Sequence, residues 1–163
     1  MPIILFPGVI YLLYFDVEIY LRIIASMVAG LLIGFERTIY NKPAGIRTFS
    51  LVCLGSTLIT LVSIYGSAKL GYTGVSDPHR ITAQIVSGIG FLGAGVIWSS
   101  KNGGMKHGVT TAAELWVTSA VGMALGVGMY DLALLVVVCI FVSIFFGRSL
   151  DDYMAKRDEK LKQ

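Results

Sequence analysis

The sequence predicts an all-α integral membrane protein, a bundle of five transmembrane helices with its N-terminus outside and its C-terminus in the cytoplasm. Three observations predict it. Of the 163 residues, 55% are hydrophobic and 14% charged, with a mean hydropathy of +0.76, whereas a soluble domain carries about a quarter charged residues. The charges fall in clusters between apolar runs long enough to cross a bilayer. With five spans, Arg37, Lys42, Arg47, Lys101, Lys106, Arg148, Lys156, Arg157, Lys160 and Lys162 share one side, and Lys69 and Arg80 the other. That bias makes the first side cytoplasmic.

Residues 1–15 are apolar but interrupted by Pro2 and Pro7, too short to cross, and expected to lie in the interface. The N-terminus lacks the basic region of a cleaved signal peptide. The first span covers 17–35, opening with the i,i+4 pair Glu18 and Arg22. Ser26, Gly30 and Gly34 then form a small-residue stripe suited to close helix packing. A polar turn from Glu36-Arg37 to Arg47 leads to a second span over 49–65, and a loop over 66–79 to a third over 81–98.

That third span, with Gly88, Gly90, Gly93 and Gly95, is the most informative stretch. Its 18 residues reach about 27 Å as a helix, close to the thickness of a hydrocarbon core. Gly88, Gly90 and Gly93 also spell G-x-G-x-x-G, but the dinucleotide fingerprint needs a preceding strand and a following amphipathic helix. The run stays apolar to Trp98 instead. The glycines are therefore read as a helix-packing face.

A basic, glycine-rich turn (101–107) precedes the fourth span, 110–129, whose stripes include Gly122 and Gly126. The fifth, 132–147, is Val, Phe and Ile nearly all round, and reads as the most lipid-exposed helix. Residues 1–150 form one transmembrane domain, and 151–163 a charged cytoplasmic tail.

These residues exclude several functions. The net charge of +3 does not indicate nucleic acid, because the basic residues sit at helix ends where lipid headgroups account for them. Cys53 and Cys139 lie inside apolar runs and read as small hydrophobes. No phosphate loop, metal-ligand cluster or nucleophile–base set is present, and His79 and His107 fall on opposite faces. No enzyme activity, catalytic residue or cofactor is expected.

Ionisable groups within membrane helices are the functional candidates, because burying them is costly. Glu114 stands one turn into the fourth span and needs a partner or a wet cavity. It shares the cytoplasmic side with Glu36, Arg37 and Arg47, where an Arg–carboxylate network would tie helices together and an ion gate is the sharper alternative. Arg80 snorkels at the outer end of the third span, and Gln84 is placed to bond a neighbouring helix. Thr110 and Thr111 can cap the fourth helix. Should a metal bind, Glu36 and Glu114 are the carboxylates available near the membrane path.

The runs RITAQIVSGIGFLGAGVI (80–97) and HGVTTAAELWVTSAVGMALGVGMY (107–130), with ER at 36–37 and KPAGIRTFSLVCLG at 42–55, resemble the MgtC/SapB family of bacterial inner-membrane proteins. The resemblance covers residues from about 20 to 147 and implies a multi-pass protein of the bacterial inner (plasma) membrane. It implies links to magnesium limitation, acid stress and virulence (survival inside hosts), and for some members inhibition of the membrane ATP synthase through helix contacts. It marks Glu36, Arg37, Arg47, Arg80, Gln84, Thr110, Thr111 and Trp116 as shared positions, and Glu114 as a departure. Virulence-type members carry a cytoplasmic C-terminal domain, so this chain resembles their membrane domain alone.

The favoured reading is a non-enzymatic regulator that contacts membrane partners, or a second copy of itself, through small-residue helix faces. Three helices bear such stripes, and so a homo-oligomer, most simply a homodimer, is expected. The alternative is an oligomeric transporter or channel for Mg²⁺ or another cation. Mg²⁺ demands a near-octahedral oxygen shell, which one protomer supplies thinly.

Overall fold

The computed structural model of the chain describes residues 7–69, 79–98 and 108–161, with side chains over 17–66, 80–97, 108–151 and 153–157. The expectations for residues 1–6, for most of the 66–79 loop and for the basic turn at 101–107, His107 included, lie outside the described residues. The described residues form five helices: α1 (Pro7–Ile39), α2 (Ile46–Lys69), α3 (His79–Trp98), α4 (Val109–Val127) and α5 (Tyr130–Leu161). The all-α class and helix order agree with the sequence reading.

Two boundaries differ from it. Residues 7–15 do not form a separate interfacial segment but the first turns of α1. Pro7 stands at the first helical position, where a missing N–H costs nothing. At the other end, α5 runs on through the charged tail to Leu161. Ala155, Lys156 and Arg157 are good helix formers and are exposed on it.

Among the described residues, four helices are long and apolar enough to cross a membrane: Val17–Ile39, Ile46–Gly66, Arg80–Ile97 and Tyr130–Arg157. Helix α4 falls outside that set. Glu114, Thr110, Thr111, Thr118 and Ser119 lower its hydropathy, yet it is the helix that touches all four others. A helix enclosed by protein need not be apolar on every face, since its polar groups find partners inside the bundle.

Close packing is concentrated on α2. A Cβ on Gly30 would lie 2.6 Å from Ser50 Cα, and one on Gly34 would lie 2.6 Å from Ile46 Cα. The same holds from the other side, where Gly122 abuts the Cys53 carbonyl and a Cβ on Gly126 would fall 2.7 Å from Thr60 Cβ. Glycine lets backbones approach this closely in lipid, where dispersion and hydrogen bonds drive association. Thr57 Oγ1 accordingly donates across to the Gly122 carbonyl at 2.7 Å. The core between these contacts holds Ile33, Phe49, Cys53, Leu115, Val121 and Leu125. Two further buried hydroxyls bond within their own helices, Thr60 donating to the Ser56 carbonyl at 2.8 Å and Thr118 to that of Glu114 at 2.7 Å, so neither is left unpaired at depth.

The turn between α1 and α2 is stitched by one side chain. Thr38 Oγ1 donates to the Gly34 carbonyl at 3.1 Å and accepts the Ile46 amide at 2.8 Å, so it ends one helix and starts the next. Helix α4 ends on Gly128, left-handed at φ 93°, whose amide bonds the Ala124 carbonyl at 3.1 Å.

Helix α3 is the outlier. Of its span 11% is buried, against 17% for α5 and 39% for α2, so α3, and not α5, is the more exposed element. A Cβ on Gly88, Gly90 or Gly95 would meet nothing within 4 Å, and one on Gly93 only Ala112, at 3.5 Å for the nearest atom. The packing expected of these glycines is thus not made among the described residues, apart from that one contact. They face outward because α3 meets its neighbours through Ile85, Ile89 and Gly93.

Candidate functional site

Glu36 and Arg37 occupy the last turn of α1, and that position brings them against α4 and α5. Arg37 is 3% exposed. Its Nε donates to Glu36, and its Nη1 lies 3.0 Å from Glu114 Oε1. Glu36 in turn receives Arg148 from α5, whose guanidinium sits 3.5 Å from the centroid of the Tyr40 ring. Charges therefore alternate Glu114–Arg37–Glu36–Arg148 across three helices, with a cation–π contact closing the outer end. Burial makes each charge dependent on its neighbour, because an unpaired buried ion costs several kcal/mol. Glu114 is 7% exposed, and among the described residues neither of its oxygens has a hydrogen bond. The Arg37 pair holds it by charge, off the line a hydrogen bond needs.

Beside this chain of charges lies a polar cavity of about 720 Å³, lined by Arg37, Lys42, Thr110, Thr111, Arg148 and Asp151 among others. It adjoins a smaller cleft of about 340 Å³ between α4 and α5, lined by Glu114, Val117, Val136 and Ile140; Thr110, Ser143 and Ile144 border both. Of the residues singled out from sequence, Glu36, Arg37, Glu114, Thr110 and Thr111 therefore gather at one end of the bundle. Arg47 and Gln84 do not join them. They are exposed and border a third, apolar groove of about 680 Å³ between α2 and α3. Arg80 is exposed at the start of α3, and Trp116 is half exposed on α4.

Sequence reasoning missed Arg148 and Tyr40. Arg148 reads as one more charge after an apolar run, and nothing in its spacing links it to Glu36. At the opposite end, the Glu18–Arg22 pair is present at 3.1 Å, but its wider role was not legible. Arg22 Nη1 also donates to Tyr65 Oη at 3.2 Å and to the Gly126 carbonyl at 2.9 Å, while Tyr130 Oη donates to Glu18 at 3.0 Å. Arg22 thus caps the Gly126 carbonyl at the C-terminal end of α4, where the helix dipole favours a cation. We expect Arg22→Met to lower stability by about 3 kcal/mol, the loss of two or three hydrogen bonds to a charged donor, read as a fall in melting temperature in detergent.

A model of the MgtC family matches residues 23–153. The chain belongs to the MgtC family. The "Putative magnesium transporter YhiD" of Escherichia coli strain K12 is 45% identical over 121 residues, which cover 72% of this chain and 54% of that protein. SapB of Bacillus subtilis strain 168 is 37% identical over 135 residues, 82% of this chain and 58% of SapB. Protein MgtC of Salmonella typhimurium strain LT2 is 43% identical over 114 residues, 70% of this chain and 46% of its own length. The chain spans about half the length of these curated relatives. No solved structure matches it. The matched MgtC region contains the whole alternating-charge cluster, from Glu36 to Arg148. The G-x-G-x-x-G letters of this family member lie inside one unbroken helix, so the dinucleotide reading has no strand–turn–helix to stand on.

Proposed function

We propose that this MgtC-family protein is a non-enzymatic regulator of the bacterial inner membrane, which acts by seating a transmembrane helix of a partner protein against α3. The observation that carries this reading is the chemistry of two exposed faces. Helix α5 presents Leu134, Leu135, Val142, Phe145 and Phe146, bulky side chains suited to acyl chains. Helix α3 presents Ser87, Gly88, Gly90, Ala94 and Gly95 around the strongly exposed Phe91, small residues that let another helix come close beside one large side chain that can anchor it. The apolar groove between α2 and α3, bordered by Gly55 and Gly88, continues that face.

The orientation proposed is the one the basic residues suggest, with the Glu36–Arg148 cluster on the cytoplasmic side. A connection to magnesium limitation or stress rests on the family and on the name of the K12 relative. Cation transport by an oligomer is the second reading. It is favoured by the carboxylates Glu36 and Glu114 at a bundle end, but both are already engaged by arginines. A carboxylate neutralised in this way is a poor ligand for a strongly hydrated dication.

Two measurements test the choice. A photo-crosslinker at position 90 should join the chain in native membranes to one defined partner protein, one at position 142 should not, and Gly88→Leu should abolish the adduct. Liposomes loaded with a Mg²⁺-sensitive dye should show no flux above empty ones. Adducts from position 90 that contain only this chain, with flux that drops in Glu36→Gln or Glu114→Gln, would overturn the regulator and make the protein a transporter.

A further inference from the structure

We propose that the groove between α2 and α3 receives one uncharged carboxamide, an Asn or Gln on the transmembrane helix of the partner, which enters between Ser56 and Gln84. The inference rests on the regulator reading above and names the chemistry by which this chain selects its partner.

Two polar groups of the groove have nothing to bond. Ser56 is 4% exposed and borders the groove, and its hydroxyl makes no hydrogen bond among the described residues. It differs in this from its neighbours Thr57 and Thr60, whose hydroxyls donate to carbonyls. Gln84 stands on the opposite wall. Its position in the sequence suits a bond to a neighbouring helix, yet its amide has no partner among the described residues. Both residues lie inside membrane-crossing spans, where acyl chains offer no hydrogen bond.

The two groups also share a level. Consecutive spans cross the membrane in opposite directions, so residues 47–59 of α2 run antiparallel to residues 81–92 of α3 along the groove. Ser56 stands three residues short of Ile59, and Gln84 three past Ile81, at the same end. The space around them is open. Gly55 adjoins Ser56, Gly88 follows Gln84 by one turn, and a Cβ on either glycine would meet nothing within 4 Å.

Shape and charge say what fits. The α2 wall is about 18 Å long, room for three turns of a helix laid alongside, and the rim residues Leu51, Ile59, Ile81 and Leu92 are exposed to lipid. Among the lining residues the one charge is Arg47, at the far end. An ionised side chain brought to Ser56 would therefore stand unpaired in the membrane, at high cost. A hydroxyl has a single proton to donate, whereas a carboxamide has an accepting carbonyl and two N–H donors. It can accept from Ser56 and exchange a hydrogen bond with Gln84 at once.

Synthetic transmembrane peptides test the proposal with the purified full-length chain in liposomes. Two Leu/Ala helices, identical except for Asn or Leu at one central position, are kept dilute enough to stay monomeric, and their association is read by energy transfer to a label on the protein. We expect the Asn peptide to bind about tenfold more tightly, the order of one hydrogen bond between helices in lipid. Ser56→Ala combined with Gln84→Leu should erase that preference and leave the Leu peptide unaffected. Gly55→Leu should erase it too, by filling the groove without touching a polar group. Equal binding of the two peptides, or a preference that survives the double variant, would overturn the carboxamide. Binding of neither peptide, with a co-purified lipid that Gly55→Leu releases, would overturn it in favour of an acyl chain. The partner face fails separately, since it is read by the native adduct from position 90, which does not depend on what enters the groove.

Discussion

Replacing Arg37 with Met is expected to cost about 3–5 kcal/mol, the range for removing one partner of a buried ion pair. Arg37 is the link between Glu36 and Glu114, and without it a carboxylate on α4 is left buried and unpaired. Glu36 keeps Arg148 as a counter-ion, so Glu114 bears most of the loss. The variant should melt far below the parent in detergent, or fail to accumulate. Pairing Arg37→Met with Glu114→Leu should recover most of the stability, because two apolar side chains of similar volume replace two desolvated charges. A double variant as unstable as Arg37→Met alone would mean that the cluster is held by Glu36 and not by Glu114.

Much of this bundle is legible in the sequence because lipid leaves the chain few choices. Apolar runs of membrane-crossing length must be helices, and the polar turns between them mark the ends to within a few residues. The ends that were misread are those where membrane thickness says nothing. Helix α1 begins at Pro7 and takes in the apolar residues 8–15, and α5 continues through the charged tail to Leu161, since a helix does not stop where the bilayer does.

The charge cluster was legible in part. Glu36, Arg37 and Glu114 could be assigned to one end from the alternation of spans alone. That Arg148 would complete the set, and that Arg47 would stand apart on another groove, depends on the rotation of α2 and α5 about their own axes. Hydropathy does not report that rotation when a helix is apolar all round. Both placements matter for function. Arg148 borders the polar cavity at that end of the bundle, while Arg47 borders the groove beside α3.

Glycines make the same point in a form that can be measured. Helices α1, α3 and α4 carry small-residue stripes that look alike on paper, yet a Cβ on Gly122 would run into the Cys53 carbonyl and Ser56 Cβ, while one on Gly88 would meet open space. Gly122→Ala should therefore cost at least about 3 kcal/mol, the upper part of the overpacking range. The obstacle is backbone on α2, which cannot rotate away, and separating the helices would also stretch the Thr57 hydrogen bond to the Gly122 carbonyl. Gly30→Ala should behave similarly, because Ser50 Cα and the Phe49 carbonyl oppose it. Gly88→Ala should stay within about 0.5 kcal/mol of the parent or gain slightly from helix propensity. Thermal unfolding of the three variants decides the matter. If Gly88→Ala melts as early as Gly122→Ala in the purified protein, then α3 is already packed against something in solution, and its open face belongs to an assembly of this chain with itself.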